Sequence, residues 1–269
     1  MSYSFKISDL TAVILCGGKG TRLRDINESN PKPMTPIGNF PVVWHIMKIF
    51  STYGIKDFIL CLGYKKEVFI DYFLNYHKFV SDITLNPSKP NEIKFHSNFT
   101  EDWNITLADT GVETMTGGRV KRIEKYLSDN QPFFLTYGDA VADINIEELY
   151  ETHLSSNNLI TVSGVHPEGR FGEIEFSNGD VVSFNEKPQV SSGFVNGGFM
   201  LVEKDFITKY LQNDDDLIFE EEPMCQAVKD NNMGVYCHSG FWQCMDTPRE
   251  YKVLQKLWSD NIAPWKIWE

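Results

Sequence analysis

Leu15-Cys16-Gly17-Gly18-Lys19-Gly20-Thr21-Arg22-Leu23, followed by Asn30-Pro31-Lys32-Pro33-Met34, is the stretch around which the rest of the chain is read. The apolar run Ala12-Val13-Ile14-Leu15 leads straight into the glycines, and four apolar residues bounded by glycine read as a buried strand. Glycine lets the backbone turn tightly and approach a ligand, because no Cβ stands in the way. Successive N–H groups in such a turn, followed by a helix start, form a concavity for an anion. Lys19, Arg22 and Lys32 place cations around it. The pattern points to a nucleotide triphosphate.

Two better-known glycine loops are excluded. The dinucleotide fingerprint G-x-G-x-x-G requires a third glycine where Leu23 stands. The P-loop requires a Gly-Lys-Ser/Thr that does not follow at the needed spacing.

The chain has 269 residues, enough for one large α/β domain or two small ones. A hydrophobic content of 42% lets such a chain bury a sizeable core. The net charge of −12 argues against a nucleic-acid groove or an anionic membrane as partner. A nucleotide ligand needs only a local basic cluster. The five cysteines, Cys16, Cys61, Cys225, Cys237 and Cys244, are odd in number and include no C-x-x-C pair, which speaks against a disulfide framework or a zinc site. No apolar run approaches a membrane span, and Met1 to Leu10 lacks a signal-peptide core, so cytoplasmic residence is expected.

In chain order, a short helix is expected from Thr21 to about Asn27. Pro31, Pro33 and Pro36 then forbid regular structure and fix the path of Lys32. Val42 to Tyr53 has helical spacing, Phe58 to Leu62 reads as a second buried strand, and Glu67 to Phe79 as another helix. Strand alternating with helix is the pattern of a largely parallel α/β sheet. Ile83–Leu85, Glu92–Phe95 and Asn104–Leu107 are short candidate strands that extend the sheet or form an edge hairpin. Thr116 reads as the N-cap of a helix running through Leu127. Phe133 to Asp139 is a strand ending in an acid at the edge where open α/β sheets bind ligands. Ile146–Leu154 reads as a helix and Leu159–Val165 as a strand, and Asn178-Gly179 marks a hairpin between 172–176 and 180–184. Val195–Val202 follows as a strand, with helices over Phe219–Lys229 and Arg249–Ser259. Without linker, repeat or low-complexity segment, residues 1–269 read as a single domain. Residues 1–10 are an N-terminal extension, and 82–109 and 166–200 are insertions.

Two acids stand out. Asp139 follows Tyr137-Gly138, and Asp246 sits in Gly240-Phe241-Trp242-Gln243-Cys244-Met245-Asp246-Thr247 just before a helix. Mg²⁺ takes one or two carboxylates and completes its octahedron with substrate phosphates and water. On its own, Asp246 reads equally as the N-cap of the last helix, and Asp139 as a turn acid.

The glycine loop together with Pro31-Lys32-Pro33 resembles the sugar-1-phosphate nucleotidyltransferases, whose signature is this loop plus a catalytic lysine between prolines. Tyr137-Gly138-Asp139, Glu186-Lys187-Pro188, Asn196-Gly197-Gly198 and Met245-Asp246-Thr247 are similar to further elements of that family, in its order. The branch that joins CTP to glucose 1-phosphate is the nearest in appearance. Trp44-His45-Ile46-Met47-Lys48, Asp109-Thr110-Gly111, Thr114-Met115-Thr116-Gly117-Gly118-Arg119, Pro167-Glu168-Gly169-Arg170-Phe171-Gly172 and the ending Ala263-Pro264-Trp265-Lys266-Ile267-Trp268-Glu269 carry that likeness. Three features depart from it: Ala140 beside the acid where glycine is usual, Cys244 where proline is expected, and the N-terminal extension.

The resemblance implies a Rossmann-like, mixed but mostly parallel sheet flanked by helices, with small β-hairpin insertions. It implies in-line transfer of a nucleotidyl group from CTP to a sugar 1-phosphate, with Mg²⁺ as cofactor, in a homo-oligomer. Arg22 and Lys32 are then catalytic. Leu15, Cys16, Gly17, Gly18, Gly20, Thr21, Thr116, Gly117 and Gly138 join them around the nucleotide. Arg119, Tyr137, Gly172, Glu186, Lys187, Asn196 and Gly197 hold the sugar phosphate, and Asp139 and Asp246 hold the metal. Another sugar 1-phosphate, UTP or dTTP as donor, or a non-catalytic nucleotide sensor, remain alternatives. Apart from the resemblance, Arg119 reads equally as a partner of Glu124 or another acid. His45 reads as a packed or interface residue, and the Trp-rich segment from Trp258 to Trp268 as an interface.

Overall fold

Thr11–Leu15 lies inside the protein because every second side chain meets a different apolar layer. Ala12 and Ile14 face Phe50, Phe134 and Phe199, while Val13 and Leu15 face Val120, Ile123 and Leu127. A strand buried on both faces has no polar alternation, which is why its sequence reads as an unbroken apolar run. The computed structural model describes residues 5–20, 30–96, 101–167, 173–177, 180–185 and 193–268.

Seven strands form the central sheet in the order Met233–His238, Ile160–Val165, Val195–Val202, Phe133–Tyr137, Thr11–Leu15, Asp57–Leu62, Asn104–Asp109. Val195–Val202 runs antiparallel to both of its neighbours, and the other pairs are parallel. The sheet is thus mixed and mostly parallel, as expected. One layer, formed by helices Val42–Thr52, Ile146–Leu154 and Pro248–Ser259, covers one face; Thr116–Ile123, Lys204–Tyr210 and Glu222–Lys229 cover the other. Phe50, Phe134 and Phe199 are fully buried in the first layer with ring centroids 5.5 and 5.9 Å apart, so truncating one to alanine costs about 3–5 kcal/mol. Among the described residues no helix is long and apolar enough to cross a membrane.

Both alternatives for the short strands are realised: Ile83–Asn86 and Lys89–Phe95 pair only with each other, and Asn104–Asp109 joins the central sheet as its edge. Other expectations need correction. The expected helix over Glu67–Phe79 is two helices, Lys66–Leu74 and Tyr76–Val80. They divide at Asn75, whose side chain bonds back to Asp71. Pro33 and Pro36 do not abolish regular structure, because Lys32–Met34 is a 3-10 turn and Pro36–Ile37 pairs with Phe40–Pro41. Glu173–Ser177 and Asp180–Asn185 do form an antiparallel hairpin, with Asn178-Gly179 itself outside the described residues. The helix expected over Thr21–Asn27 lies outside them too.

Candidate active site

The glycine loop leaves the C-terminal end of the central strand and is held at its root by main-chain bonds. The Cys16 N–H donates to Cys61 (3.0 Å), the Gly138 N–H to Leu15 (3.0 Å) and the Tyr64 N–H to Gly17 (3.2 Å). The loop's remaining anchor is Arg119, which was expected at the sugar phosphate. This guanidinium is buried, and Nη1 donates to the carbonyls of Leu62 (3.2 Å) and Gly111 (2.7 Å) and to the Thr110 hydroxyl (2.8 Å). Nη2 donates to the carbonyls of Gly17 (3.1 Å) and Val112 (3.4 Å). Its sequence alternative fails as well, since Glu124 pairs with Lys121. Arg119 therefore staples the loop to the edge of the sheet. Gly17 is required by that staple: a Cβ there would lie 2.0 Å from Arg119 Nη1.

Beyond the root, Gly18 faces open space and Lys19 pairs with Glu113 at 2.7 Å. Burial pushes the thiol of Cys16 well above its ordinary pKa and that of Cys61 up to about 12, so both remain neutral and pack as small hydrophobes. All five cysteines are free thiols in this structure.

Lys32 meets the two singled-out acids. Its turn is anchored by buried Pro33 and Met34, which aims the side chain inward. Nζ donates to Asp139 Oδ2 at 2.6 Å and also to Asp246 Oδ1. Only 11% of the Lys32 side chain is exposed. Burial alone would lower its pKa, but Asp139 and then Asp246 outweigh burial and raise it, so the ammonium stays charged.

The pair of acids is assembled by a short ribbon that sequence reading missed. Ala140–Ala142 pairs antiparallel with Trp242–Cys244, and the Met245 N–H donates to the Asp139 carbonyl at 2.8 Å. Ala140 and Cys244 are directly opposed partners in it. Asp246 is not the N-cap of the last helix. That position belongs to Thr247, whose hydroxyl accepts from the Glu250 N–H while Glu250 accepts from the main chain of Thr247 and Asp246. Gly138 has its own steric reason, since a Cβ would come 2.9 Å from Pro33 and 3.0 Å from the Leu15 carbonyl. Its absence lets the lysine turn lie against the end of the strand that carries Asp139.

Two carboxylates within reach of one ammonium are within reach of one cation. Among the described residues no cluster of three or more His, Cys, Asp or Glu could hold a metal. An all-oxygen pair suits a hard divalent ion such as Mg²⁺ better than zinc.

A second group lies two residues before Asp139, at the end of strand Phe133–Tyr137. The Tyr137 hydroxyl donates to Glu220 Oε1 at 2.5 Å, and Thr116 donates to Glu220 Oε2 at 2.6 Å. Thr116 is the first residue of its helix rather than its cap, which is Met115. The Gly117 N–H, expected at the nucleotide, donates instead to Leu217 at 2.8 Å. Asn196 bonds the Tyr137 side chain and accepts from the Gly198 N–H at 2.9 Å, and the Gly197 carbonyl accepts from Trp242 Nε1 at 2.7 Å. The structure thus brings Tyr137, Gly138, Asn196 and Gly197 to the same strand ends as Lys32, Asp139 and Asp246. Thr21, Arg22, Gly172, Glu186 and Lys187 lie outside the described residues.

Comparison with known proteins gives a consistent result. The nucleotidyl transferase family, "NTP_transferase", matches residues 11–260. A glucose-1-phosphate cytidylyltransferase from Salmonella typhi is 43% identical over 260 residues, covering 97% of this chain and all of the relative. The enzyme of that name from Salmonella typhimurium matches to the same extent. Among solved structures, HddC from Yersinia pseudotuberculosis complexed with GMP-PN superposes with a TM-score of 0.62 at 24% identity, covering 93% of this chain and 99% of that one. This last likeness bears on the fold.

Proposed function

The chain belongs to the nucleotidyl transferase family, and from that premise we propose that it transfers the cytidylyl group of CTP to glucose 1-phosphate, giving CDP-glucose and pyrophosphate. The observation that carries this reading furthest is the meeting of Lys32, Asp139 and Asp246 at the strand ends beside the glycine loop. The full-length likeness to cytidylyltransferases supports the choice of base and sugar.

In the proposed reaction an oxygen of the sugar phosphate attacks the α-phosphorus of CTP in line, and pyrophosphate leaves. No covalent intermediate with the protein is needed, so the chain's task is positioning and charge neutralisation. The loop main chain beyond Gly17 cradles the nucleotide phosphates. Lys32 moves from the two acids to the α-phosphate and balances the charge that develops there, and Arg22 faces the leaving pyrophosphate. Lys187 holds the attacking phosphate, while Tyr137 and Asn196 line the sugar side. Members of this family generally use a divalent metal. Asp139 and Asp246 would hold Mg²⁺, which when bound neutralises phosphate oxygens. On the resemblance alone, the same reading makes the enzyme a homo-oligomer.

The test is pyrophosphate release by the purified protein with CTP, UTP, dTTP and GTP, each against a panel of sugar 1-phosphates. CTP with glucose 1-phosphate should give the highest kcat/KM by about tenfold or more. A higher value for another pair would reassign the substrates. No release from any pair would overturn the assignment as a catalyst.

A further inference from the structure

We propose that Glu220 is the positioning residue of the sugar-1-phosphate side of the crevice, acting through the hydroxyl of Tyr137. The inference rests on the function proposed above and extends it to a residue that no motif in the sequence marks.

Glu220 belongs to the connection between helices Lys204–Tyr210 and Glu222–Lys229. That connection is fastened to the start of helix Thr116–Ile123 along its main chain. The Met115 N–H donates to Asp215 (2.7 Å), the Gly117 N–H to Leu217 (2.8 Å), and the Phe219 N–H to the Thr116 hydroxyl (2.9 Å). Arg122 adds a two-pronged pair with Asp215 at 2.6 and 2.8 Å. Close approach is built in, because a Cβ on Gly117 would lie 2.8 Å from the Leu217 side chain and carbonyl. The place of Glu220 relative to Thr116 is therefore set by backbone and not by a surface rotamer.

Its carboxylate accepts one hydroxyl on each oxygen, from Thr116 and from Tyr137. Among the described residues no lysine or arginine pairs with it. Short hydroxyl bonds to a charged acceptor are the stronger kind and fix the direction of the donor. With its proton committed to Glu220, the phenol oxygen offers its lone pair to Asn196. Asn196 in turn accepts from the Gly198 N–H within strand Val195–Val202, next to the Gly197 carbonyl bound by Trp242. The chain Thr116, Glu220, Tyr137, Asn196 thus runs from the helix beside the glycine loop to the segment assigned to the sugar. Such a network sets orientation as a unit, so its members should couple.

The experiment is steady-state kinetics of wild type, Glu220→Gln, Tyr137→Phe and the double variant, varying CTP and glucose 1-phosphate separately, with melting temperatures alongside. A glutamine accepts only one of the two hydroxyls and turns an N–H₂ toward the other. Glu220→Gln should raise the KM for glucose 1-phosphate about tenfold, leave the KM for CTP within about threefold, and melt within a few degrees of wild type. The double variant should be no worse than the poorer single one, and Glu220→Asp, which keeps the charge, should recover part of the loss. Unchanged kinetics in Glu220→Gln, multiplicative losses in the double variant, or equal losses for both substrates tracking a lowered melting temperature would each overturn the proposal. An inactive wild type would overturn the functional reading, and this proposal with it; an active wild type beside an unaffected Glu220→Gln overturns this proposal alone.

Discussion

Lys32 shows how much depends on one side chain. An ammonium with little exposure, kept charged by two carboxylates, is a positive charge poised beside the place assigned to the phosphates. Lys32→Ala should lower kcat about 100- to 1,000-fold while far-UV circular dichroism stays that of the wild type. Near-normal turnover would remove Lys32 from the chemistry. Lys32, Asp139 and Asp246 were legible in the sequence because each sits in a motif whose neighbours are equally informative. Glu220 was not, since one acid in Glu220-Glu221-Glu222 carries no spacing that marks it. Arg119 was assigned to the sugar phosphate through the resemblance, which says nothing of its hydrogen bonds. Only the structure shows its acceptors to be the carbonyls and hydroxyl of its own chain.

At the scale of elements, long periodic segments were legible and short or context-made ones were not. Ile146–Leu154 and Val195–Val202 have the expected bounds, because one is strongly amphipathic and the other apolar to its end. Lys204–Tyr210, the edge strand Met233–His238 and the ribbon of Ala140–Ala142 with Trp242–Cys244 were missed. The ribbon strands are three residues long, too short for any period to register, and their pairing is a long-range event. The edge strand Met233–His238 is half exposed and interrupted by Gly234, which hides its alternation. Helix Glu222–Lys229 begins later than expected, with Pro223 in its first turn. The carbonyls of Asp215 and Leu217, in the stretch before it, serve the helix at Thr116 instead.

Across the whole molecule, the Trp-rich C-terminus closes over the start of helix Val42–Thr52 and does not present all its rings outward. Trp265 is fully buried, and Trp44, Trp258, Trp265 and Trp268 surround the buried ring of His45. His45 Nε2 lies 3.0 Å from the Ile37 carbonyl, and burial pulls its pKa from 6.5 down to about 4. Between those values the unfolded chain binds the extra proton, so stability rises with pH. The contribution is complete above about pH 6.5 and is lost as pH falls toward 4, by at most roughly 3 kcal/mol. Melting temperature should fall over that window, and less steeply in His45→Gln; parallel curves would exclude His45 as the cause. A separate long-range pairing, the ribbon of Ala140–Ala142 with Trp242–Cys244, brings residues 139 and 246 together at Lys32, and that convergence is the central claim. Its most direct test is binding of Mn²⁺, standing in for Mg²⁺, to wild type, Asp139→Asn, Asp246→Asn and the double variant in the presence of CTP. Each single change should weaken binding about tenfold or more, with the double variant little worse than either, because one ion is shared. Affinity unchanged in either single variant, or losses that simply multiply in the double variant, would contradict it.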